Sequence, residues 1–235
     1  MEIINLSSDS DAVLKPKAKE SEPKNQITDL KSGVKNPNRV NVFLDDKFSF
    51  SLDISQVVDY HLKIGAILTD AELSELKHAS AYGKLYGRTL EWVLTRPRSI
   101  KETRDHLREK RFAKKLDYTD VDIEEIINKL VEKNYLSDRT FAEWFIENRF
   151  VKKGVSRRRL EQELMKKGIE RDLISELLNA SSRDESEEIK KMIEKKSARY
   201  DDEKLLAYLV RQGFPYDLSR ELIEESKVQN PAATD

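Results

Sequence analysis

The sequence of 235 residues contains no cysteine, which excludes disulfides, iron–sulfur clusters and thiolate zinc sites. Glycine and proline are scarce, with seven and six residues, so helices are favoured over a turn-rich β fold. No apolar run approaches the roughly 20 residues that a bilayer-spanning helix needs. The N-terminal MEIINLSSDSDAV lacks the basic start and apolar core of a secretion signal. These absences predict a soluble cytoplasmic protein.

Catalytic and cofactor-binding motifs are also missing. The histidines His61, His78 and His106 stand singly, and the scattered glycines form neither a phosphate-binding loop nor a dinucleotide fingerprint. No Ser/His/Asp set has a local context that singles out a nucleophile. The many carboxylates alternate with lysine and arginine, as they do on solvated helix faces. The sequence therefore predicts a protein that is not an enzyme and that has no cofactor or metal.

Charged residues, by contrast, are abundant. They make up 37% of the chain beside 38% hydrophobic residues, which indicates several small helical cores rather than one large core. Residues 1–38 show no sustained apolar periodicity and are predicted to be a disordered tail. The alternating apolar residues from Val40 to Leu52 predict a β-hairpin around a turn at residues 45–47. Helices are predicted to follow over residues 54–62, 69–84 and 85–94.

A sequence pattern recurs three times in the rest of the chain. In each copy a helix-capping residue is followed eight positions later by leucine and five positions after that by another apolar residue. This repeat predicts a mainly α fold, a tandem array of three three-helix (helix-turn-helix-like) repeats preceded by the small β-hairpin and helix. The alternative explanation of the repeated spacing is chance similarity among leucine-rich amphipathic helices. The three copies are Ser99, Leu107 and Phe112; Ser156, Leu164 and Ile169; and Asp201, Leu209 and Phe214.

The same pattern predicts where the units begin and end. In the middle unit, Gly154 is predicted to end the first helix, Ser156 to cap the second, and Gly168 to close it. Trp92 and Trp144 are predicted to pack in the cores of the first two units. The predicted segments are residues 39–78 for the hairpin and its helices, 79–136, 137–180 and 181–227 for the three units, and 228–235 for a C-terminal tail.

The middle unit carries a local excess of positive charge. Between Arg139 and Arg171 there are ten basic residues and five acidic ones, in a chain whose net charge is −1. The excess clusters around Gly154 and the start of the following helix, where free backbone N–H groups also attract anions. This clustering predicts a surface that binds a phosphate backbone or an acidic protein groove. A merely solvated helix face is the alternative.

Four groups of residues form motifs that follow one another in a fixed order along the chain. They are Arg96-Pro-Arg-Ser99 with Glu102 and Leu107; Tyr135-Leu-Ser-Asp138; Phe141-Ala142, Arg149 and Gly154; and the Arg-Arg-x-x-x-Glu-Leu-x-x-Lys-Gly run from Arg158 to Gly168. In this order they resemble the RecX family of regulatory proteins. The resemblance spans about residues 39–225 and is densest in the second unit. The chain departs from the family at Arg111, where glycine is usual, and at Thr103, where leucine is common.

The resemblance implies a monomeric modulator of the RecA recombinase with a role in DNA repair and recombination. Family members look like curved arrays of three-helix units that lie in the helical groove of the RecA–DNA filament, inhibit recombinase activities and favour filament disassembly. They also bind single- or double-stranded DNA, and no cofactor or catalytic residue is implied. The match places the expected filament or DNA contact on the basic face of the middle unit. The contact residues, chosen by their charge, are Arg149, Lys152, Lys153, Arg157, Arg158, Arg159, Lys166 and Lys167.

Two other functions stay open at this point. A free-standing, sequence-nonspecific DNA-binding protein would contact phosphates through residues 156–159, because that helix start has no Asn or Gln to read bases. A structural scaffold would keep its function after charge reversal at Arg157, Arg158 and Arg159. Either binding function requires that such a reversal abolish activity.

Overall fold

The computed structural model describes residues 24–34, 36–114 and 118–229. The chain divides into two compact units between Ser80 and Ala81. Within the described ranges the chain forms three strands and ten helices. The predicted mainly α fold, with a small β element followed by three three-helix repeats, is confirmed.

The first unit contains a three-stranded antiparallel sheet. Strands β1 (Ile27–Ser32), β2 (Arg39–Leu44) and β3 (Lys47–Asp53) lie side by side in that order, and helix α1 spans Ile54–Asp59. The first turns of helix α2 (Asp70–Leu94) complete the unit. Its buried core consists of Ile27, Val42, Leu44, Phe50, Leu52, Leu68 and Leu76.

Strand β1 lies inside the segment predicted to be a disordered tail, so that prediction is wrong for residues 27–32. Ile27 is fully buried, and the Asp45 carboxylate accepts hydrogen bonds of 3.0 Å from the backbone N–H groups of Asn25 and Gln26. The strand ITDLKS has only two large apolar residues, Ile27 and Leu30, and therefore shows no sustained apolar periodicity; its backbone pairs with β2. Residues 1–23 of the predicted tail lie outside the described residues.

The hairpin turn forms without glycine. Asp45 and Asp46 both adopt left-handed backbone angles, with φ of 48° and 62°, as the favoured two-residue hairpin turns require. Aspartate tolerates this conformation because its short polar side chain hydrogen-bonds locally. The alternation of apolar residues predicts that Phe48 and Phe50 lie on the same, buried face. The strand register shifts between Val42 and Phe43, and Phe48 is 56% exposed whereas Phe50 is buried.

The second unit consists of three three-helix repeats, each with its own cluster of buried apolar side chains. Helix α2 is one continuous helix, so the predicted break between residues 84 and 85 is wrong; no proline interrupts it. Helix α10 continues two residues into the predicted C-terminal tail, and residues 230–235 lie outside the described part. Repeat 1 comprises the second half of α2, α3 (Ile100–Lys114) and α4 (Asp120–Glu132); repeat 2 comprises α5 (Asp138–Asn148), α6 (Arg157–Lys166) and α7 (Arg171–Ala180); repeat 3 comprises α8 (Glu185–Lys196), α9 (Asp202–Arg211) and α10 (Tyr216–Gln229).

The repeated leucines lie where the pattern predicts, but one of the three partner residues does not. Leu107, Leu164 and Leu209 are almost completely buried, as are Ile169 and Phe214. Phe112, predicted to be a core residue, is 89% exposed.

The exposure of Phe112 follows from the arginine that precedes it. In repeats 2 and 3 a left-handed glycine, Gly168 or Gly213, ends the second helix and turns the next apolar residue into the core. Arg111 remains helical, so α3 continues to Lys114 and carries Phe112 into solvent. Tyr118 is buried instead, and its hydroxyl donates a 2.9 Å hydrogen bond to the carbonyl of Leu107.

Adjacent repeats are joined by the capping serines. The Ser99 hydroxyl accepts a hydrogen bond from the N–H of Glu102 and donates one of 2.8 Å to the carbonyl of Lys167, at the end of α6. The Ser156 hydroxyl does the same for Arg159 and for the carbonyl of Gln212, at the end of α9, over 2.6 Å. Each serine therefore caps its own helix and ties it to the next repeat.

An acidic residue repeats beside each serine contact. The first residue of α5, Asp138, accepts a 2.8 Å hydrogen bond from the N–H of Ile100. The first residue of α8, Glu185, accepts one of 3.3 Å from the N–H of Arg157. The two junctions thus have the same construction, and repeat 3 carries Asp201 where repeats 1 and 2 carry serine.

The glycines at the helix ends are also required by these junctions. A Cβ at Gly168 would lie 2.7 Å from the Cβ of Lys101 in repeat 1, and one at Gly213 would lie 2.9 Å from the Ser156 hydroxyl in repeat 2. At the equivalent position of repeat 1, Arg111 instead forms an ion pair with Asp120.

We expect Phe214→Ala to lower the free energy of unfolding by about 3 kcal/mol, because it leaves a cavity in the core of repeat 3. Phe112→Ala, at the equivalent sequence position, should change it by less than about 0.5 kcal/mol because the ring is exposed. Urea unfolding followed by circular dichroism measures both. Equal losses would contradict the extended α3.

We expect Ser156→Ala to cost about 2 kcal/mol, since it removes a helix cap and the hydrogen bond to Gln212, each worth about 1 kcal/mol. The matched control is Ser137→Ala, which removes the α5 cap alone and should cost about 1 kcal/mol. Chemical unfolding of both variants measures the difference, and an equal cost would show that the junction bond adds no stability.

Candidate functional site

The loop before α6 is shaped by two left-handed residues. Helix α5 ends at Asn148, so the prediction that Gly154 ends it is wrong. Phe150 instead takes the left-handed angle just after the helix, with φ of 50°, and Gly154 follows with φ of 80°. A Cβ at Gly154 would collide with the carbonyl oxygen of Glu188 in repeat 3. The loop is thus fixed against the next repeat.

The start of α6 does not offer the set of free N–H groups that the sequence prediction assumed. The N–H of Arg157 bonds to Glu185, and that of Arg159 bonds to the fully buried Ser156. The Val155 N–H, just before the helix, donates a 2.9 Å bond to the Glu188 carboxylate. These backbone N–H groups already have acceptors within the protein, so they are not available to bind an external anion.

Three of the predicted contact arginines make bonds inside the unit. Arg149 and Arg159 donate to the two carboxylate oxygens of Glu163, at 2.6 and 3.1 Å. Arg157 donates one hydrogen bond of 3.1 Å to the carbonyl of Leu178 and another of 2.6 Å to the Asn179 side chain. Both acceptors lie in the last turn of α7. These three side chains stabilise repeat 2.

Four of the predicted contact residues are exposed and make no side-chain hydrogen bond or ion pair with the described residues. Their positive charge is therefore free to meet a partner. Lys167 is partly buried instead, and its charge acts on the carboxylate of Glu102 in repeat 1. The four exposed cations are Lys152, Lys153, Arg158 and Lys166.

A groove of about 500 Å³ lies between repeats 1 and 2, here called groove A. Trp144 and Phe150 form its apolar wall, and both rings are partly buried. Four cations and two carboxylates line it: Arg96, Arg149, Lys166, Lys167, Glu102 and Glu163.

A second groove, of about 460 Å³, lies between repeats 2 and 3 and is here called groove B. Phe150 lines it as well, together with Tyr208 of α9. Five cations line it and no carboxylate does: Lys153, Arg159, Lys195, Lys196 and Arg199.

Phe150 separates the two grooves in a strained conformation. A left-handed backbone is a rare choice for a bulky side chain and costs energy that the surroundings must supply. Two guanidinium groups hold the ring, Arg149 at 3.8 Å from its centroid and Arg159 at 5.2 Å. Cation–π attraction of this kind stabilises the ring where it is.

The sequence prediction missed the contribution of the outer repeats. Arg96 of repeat 1 and Lys195, Lys196 and Arg199 of repeat 3 share the grooves with the cations of the middle unit. The net charge of each segment does not reveal these four cations, because the many acidic residues of the outer repeats offset their charge. Trp144, predicted to be a core residue, is partly buried and lines groove A, with Arg96 5.4 Å from its ring centroid.

The arginines shift the pKa of the groove A carboxylates. Partial burial raises the pKa of Glu163, but the hydrogen bonds and charges of Arg149 and Arg159 outweigh it, so the pKa lies below its ordinary value. Burial likewise raises the pKa of Glu102, and the Arg96 hydrogen bond and the Lys167 charge more than offset it. Both carboxylates are ionised at neutral pH.

Comparison with known proteins identifies the family. Residues 25–69 match the family model for the regulatory protein RecX N-terminal domain, and residues 137–178 match that for the RecX second three-helix domain. Regulatory protein RecX of Bacillus velezensis is 34% identical over 212 residues, which cover 87% of this chain and 78% of that protein. Its namesake in Bacillus subtilis is 32% identical over 219 residues, covering 89% of this chain and 80% of that protein. The chain belongs to the RecX family.

A solved RecX structure shows the same fold. The crystal structure of a regulatory protein RecX superposes with a TM-score of 0.65 at 20% identity, and covers 85% of this chain and 99% of the other. The RecX model for the second three-helix domain spans α5, α6 and most of α7, which carry the middle part of both grooves.

Within the described residues no helix combines the length and hydropathy needed to cross a membrane. Nor does that part of the chain contain a group of three or more His, Asp or Glu side chains placed to hold a metal ion.

We expect Glu163→Gln to change how stability depends on pH. Because the native pKa is lowered, the native protein binds fewer protons than the unfolded chain, so ionised Glu163 stabilises the fold above its ordinary pKa of 4.5. Wild type should therefore be more stable than the variant at pH 7. The difference should shrink as the pH falls below about 4.5 and through the native value.

Urea unfolding at a series of pH values measures this difference. Glu161→Gln is the control, because Glu161 lies on the same helix and makes no hydrogen bond or ion pair with the described residues. A gap between wild type and Glu163→Gln that stays constant from pH 7 to pH 3 would disprove the role of the two arginines.

Proposed function

We propose that this chain is a non-enzymatic regulator that binds in the groove of the RecA–DNA filament and inhibits or modulates the RecA recombinase. The observation that carries the proposal is the match to regulatory proteins named RecX over most of the chain. The protein acts as a monomer in the cytoplasm, without a cofactor, and takes part in DNA repair, recombination and the SOS response.

The charge distribution supports a binding function of this kind. The exposed cations Lys152, Lys153, Arg158 and Lys166 have no side-chain partner among the described residues, so a phosphate or carboxylate partner meets them without breaking an internal bond. Arg149, Arg157, Arg159 and Lys167 support this surface from within repeat 2 and its junctions. A filament of protein on DNA offers both phosphates and acidic side chains.

Sequence-nonspecific DNA binding is the second candidate. The exposed lysines favour it, since lysine contacts the phosphate backbone as a point charge and does not read sequence. On this reading RecA is affected only because the protein occupies DNA.

The first test is the DNA-dependent ATPase of the cognate RecA, titrated with the protein. We expect wild type to inhibit it. The variant Lys152→Gln, Lys153→Gln, Arg158→Gln, Lys166→Gln should need at least about tenfold more protein for half-maximal inhibition. Four exposed ion pairs of about 0.5 kcal/mol each are lost, and 1.4 kcal/mol is a factor of ten.

The matched control neutralises four exposed cations elsewhere, Lys77, Arg88, Lys133 and Arg211, and should inhibit like wild type. These variants leave Arg157 and Arg159 intact, because their loss would also weaken the fold. No inhibition by wild type at any ratio up to saturation would refute the proposal. Salt-dependent DNA binding without RecA, together with inhibition of the ATPase that excess DNA relieves, would favour the second candidate.

A further inference from the structure

One buried ion pair lies at the boundary between repeats 2 and 3. Arg183 is in the segment between α7 and α8, and Glu188 is in the first turn of α8. Their side chains are only 15% and 5% exposed. The Arg183 guanidinium donates to both carboxylate oxygens of Glu188, at 3.1 and 3.3 Å. A two-point contact of this kind fixes the orientation of both groups.

The same two side chains hold both ends of the loop from Arg149 to Val155, here called the basic loop. Arg183 donates to the backbone carbonyls of Ile146 and Arg149, at 2.6 and 2.7 Å. These carbonyls lie at the end of α5, where they have no acceptor role within the helix. Glu188 accepts a 2.9 Å hydrogen bond from the Val155 N–H. One ion pair therefore ties the first residue of the basic loop to its last.

The two held peptide groups adjoin the left-handed residues of the basic loop. The Arg149 carbonyl belongs to the peptide group that precedes Phe150, whose φ is 50°. The Val155 N–H belongs to the peptide group that follows Gly154, whose φ is 80°. A left-handed backbone at a bulky residue persists only where the surroundings impose it. The ion pair supplies that constraint from outside the loop.

Lys152 and Lys153 lie between those two left-handed residues. Both are exposed and make no side-chain hydrogen bond or ion pair with the described residues. Their position therefore depends on the loop backbone, within which the N–H groups of Lys153 and Gly154 bond to the Phe150 carbonyl. A loop without the ion pair would carry the same charge, but its ordering on binding would cost affinity.

We propose that Arg183 and Glu188 are positioning residues for partner binding, and that they hold the basic loop in the conformation in which Lys152 and Lys153 meet the partner. This inference rests on the proposed function and adds two residues that act through the loop. The alternative is that the pair only joins repeats 2 and 3 and stabilises the fold. The two roles differ in whether the effect of the pair on binding passes through the two lysines.

A double-mutant cycle on inhibition of the RecA ATPase separates these roles. Arg183→Lys keeps the positive charge, but an ammonium group cannot make the planar two-point contact and reach the carbonyls as well. Glu188 should keep its 2.9 Å bond from Lys191 in that variant, so its buried carboxylate is not left unpaired. The second arm is Lys152→Gln with Lys153→Gln, and the third combines all three substitutions.

Arg183→Lys should raise the protein concentration for half-maximal inhibition by about fivefold, the loss expected for two exposed ion pairs. The double lysine variant should show the same loss. In the combined variant the loss should stay at about fivefold rather than reach about 25-fold, because the lysines that Arg183 positions are already gone. Glu188→Gln breaks the pair from the other side and should behave like Arg183→Lys.

Two controls separate positioning from lost stability. Arg139→Lys breaks another two-point pair of repeat 2, that of Arg139 with Glu176, which does not bond to the basic loop. Ser137→Ala removes the cap at the far end of α5. Both controls should inhibit like wild type, and circular dichroism checks that every variant folds.

Hydrogen exchange measures the basic loop directly, without RecA. The amides of Lys153, Gly154 and Val155 should exchange at least about tenfold faster in Arg183→Lys than in wild type, because the loop opens locally. In Arg139→Lys they should exchange at the wild-type rate.

Losses that multiply in the combined variant would overturn the positioning role and leave the proposed function standing. The same holds if Arg183→Lys inhibits like wild type, if it alone loses inhibition while the double lysine variant does not, or if the loop amides exchange at an unchanged rate. Failure of wild type to inhibit RecA would instead refute the proposed function and this inference with it.

Discussion

The serine hydroxyl shared between adjacent repeats is the contact on which the array depends. The Ser156 hydroxyl accepts a hydrogen bond from the Arg159 N–H at the start of α6. The same oxygen donates one to the Gln212 carbonyl at the end of α9 in the next repeat. That closeness requires a residue without a side chain opposite it, which is why Gly213 has a steric as well as a conformational role. Repeat 3 has aspartate in place of the serine, and repeat 1 has Arg111 in place of the glycine.

These junctions also determine the surface. Because they hold neighbouring second helices at a fixed offset, they open a groove at each boundary and place Phe150 between the two. The arginines beside that ring bind Glu163 and the aromatic face, whereas Lys152, Lys153 and Lys166 make no side-chain hydrogen bond or ion pair with the described residues. A cluster of basic residues in the sequence thus separates into side chains that stabilise the unit and side chains available to a partner.

Much of the fold could be predicted from the sequence, and the misses have physical causes. The buried Leu107, Leu164 and Leu209 follow from spacing alone, because helix periodicity fixes which face is apolar. Phe112 was misplaced because one residue, Arg111, lets α3 continue. Strand β1 was missed because backbone pairing and the Asp45 carboxylate hold it. The candidate site was predicted as a list of basic residues, without the outer repeats that complete both grooves.

The sequence by itself determined the number of repeats, the caps and the net charge of the middle unit, since each depends on residues within a few turns of one another. Only the tertiary structure decided which cations are free and where the grooves open. Those properties depend on pairs far apart in the chain, such as Ser156 and Gln212, which are 56 residues apart. A local pattern specifies a helix face, but the partner of a polar atom on that face is specified by packing.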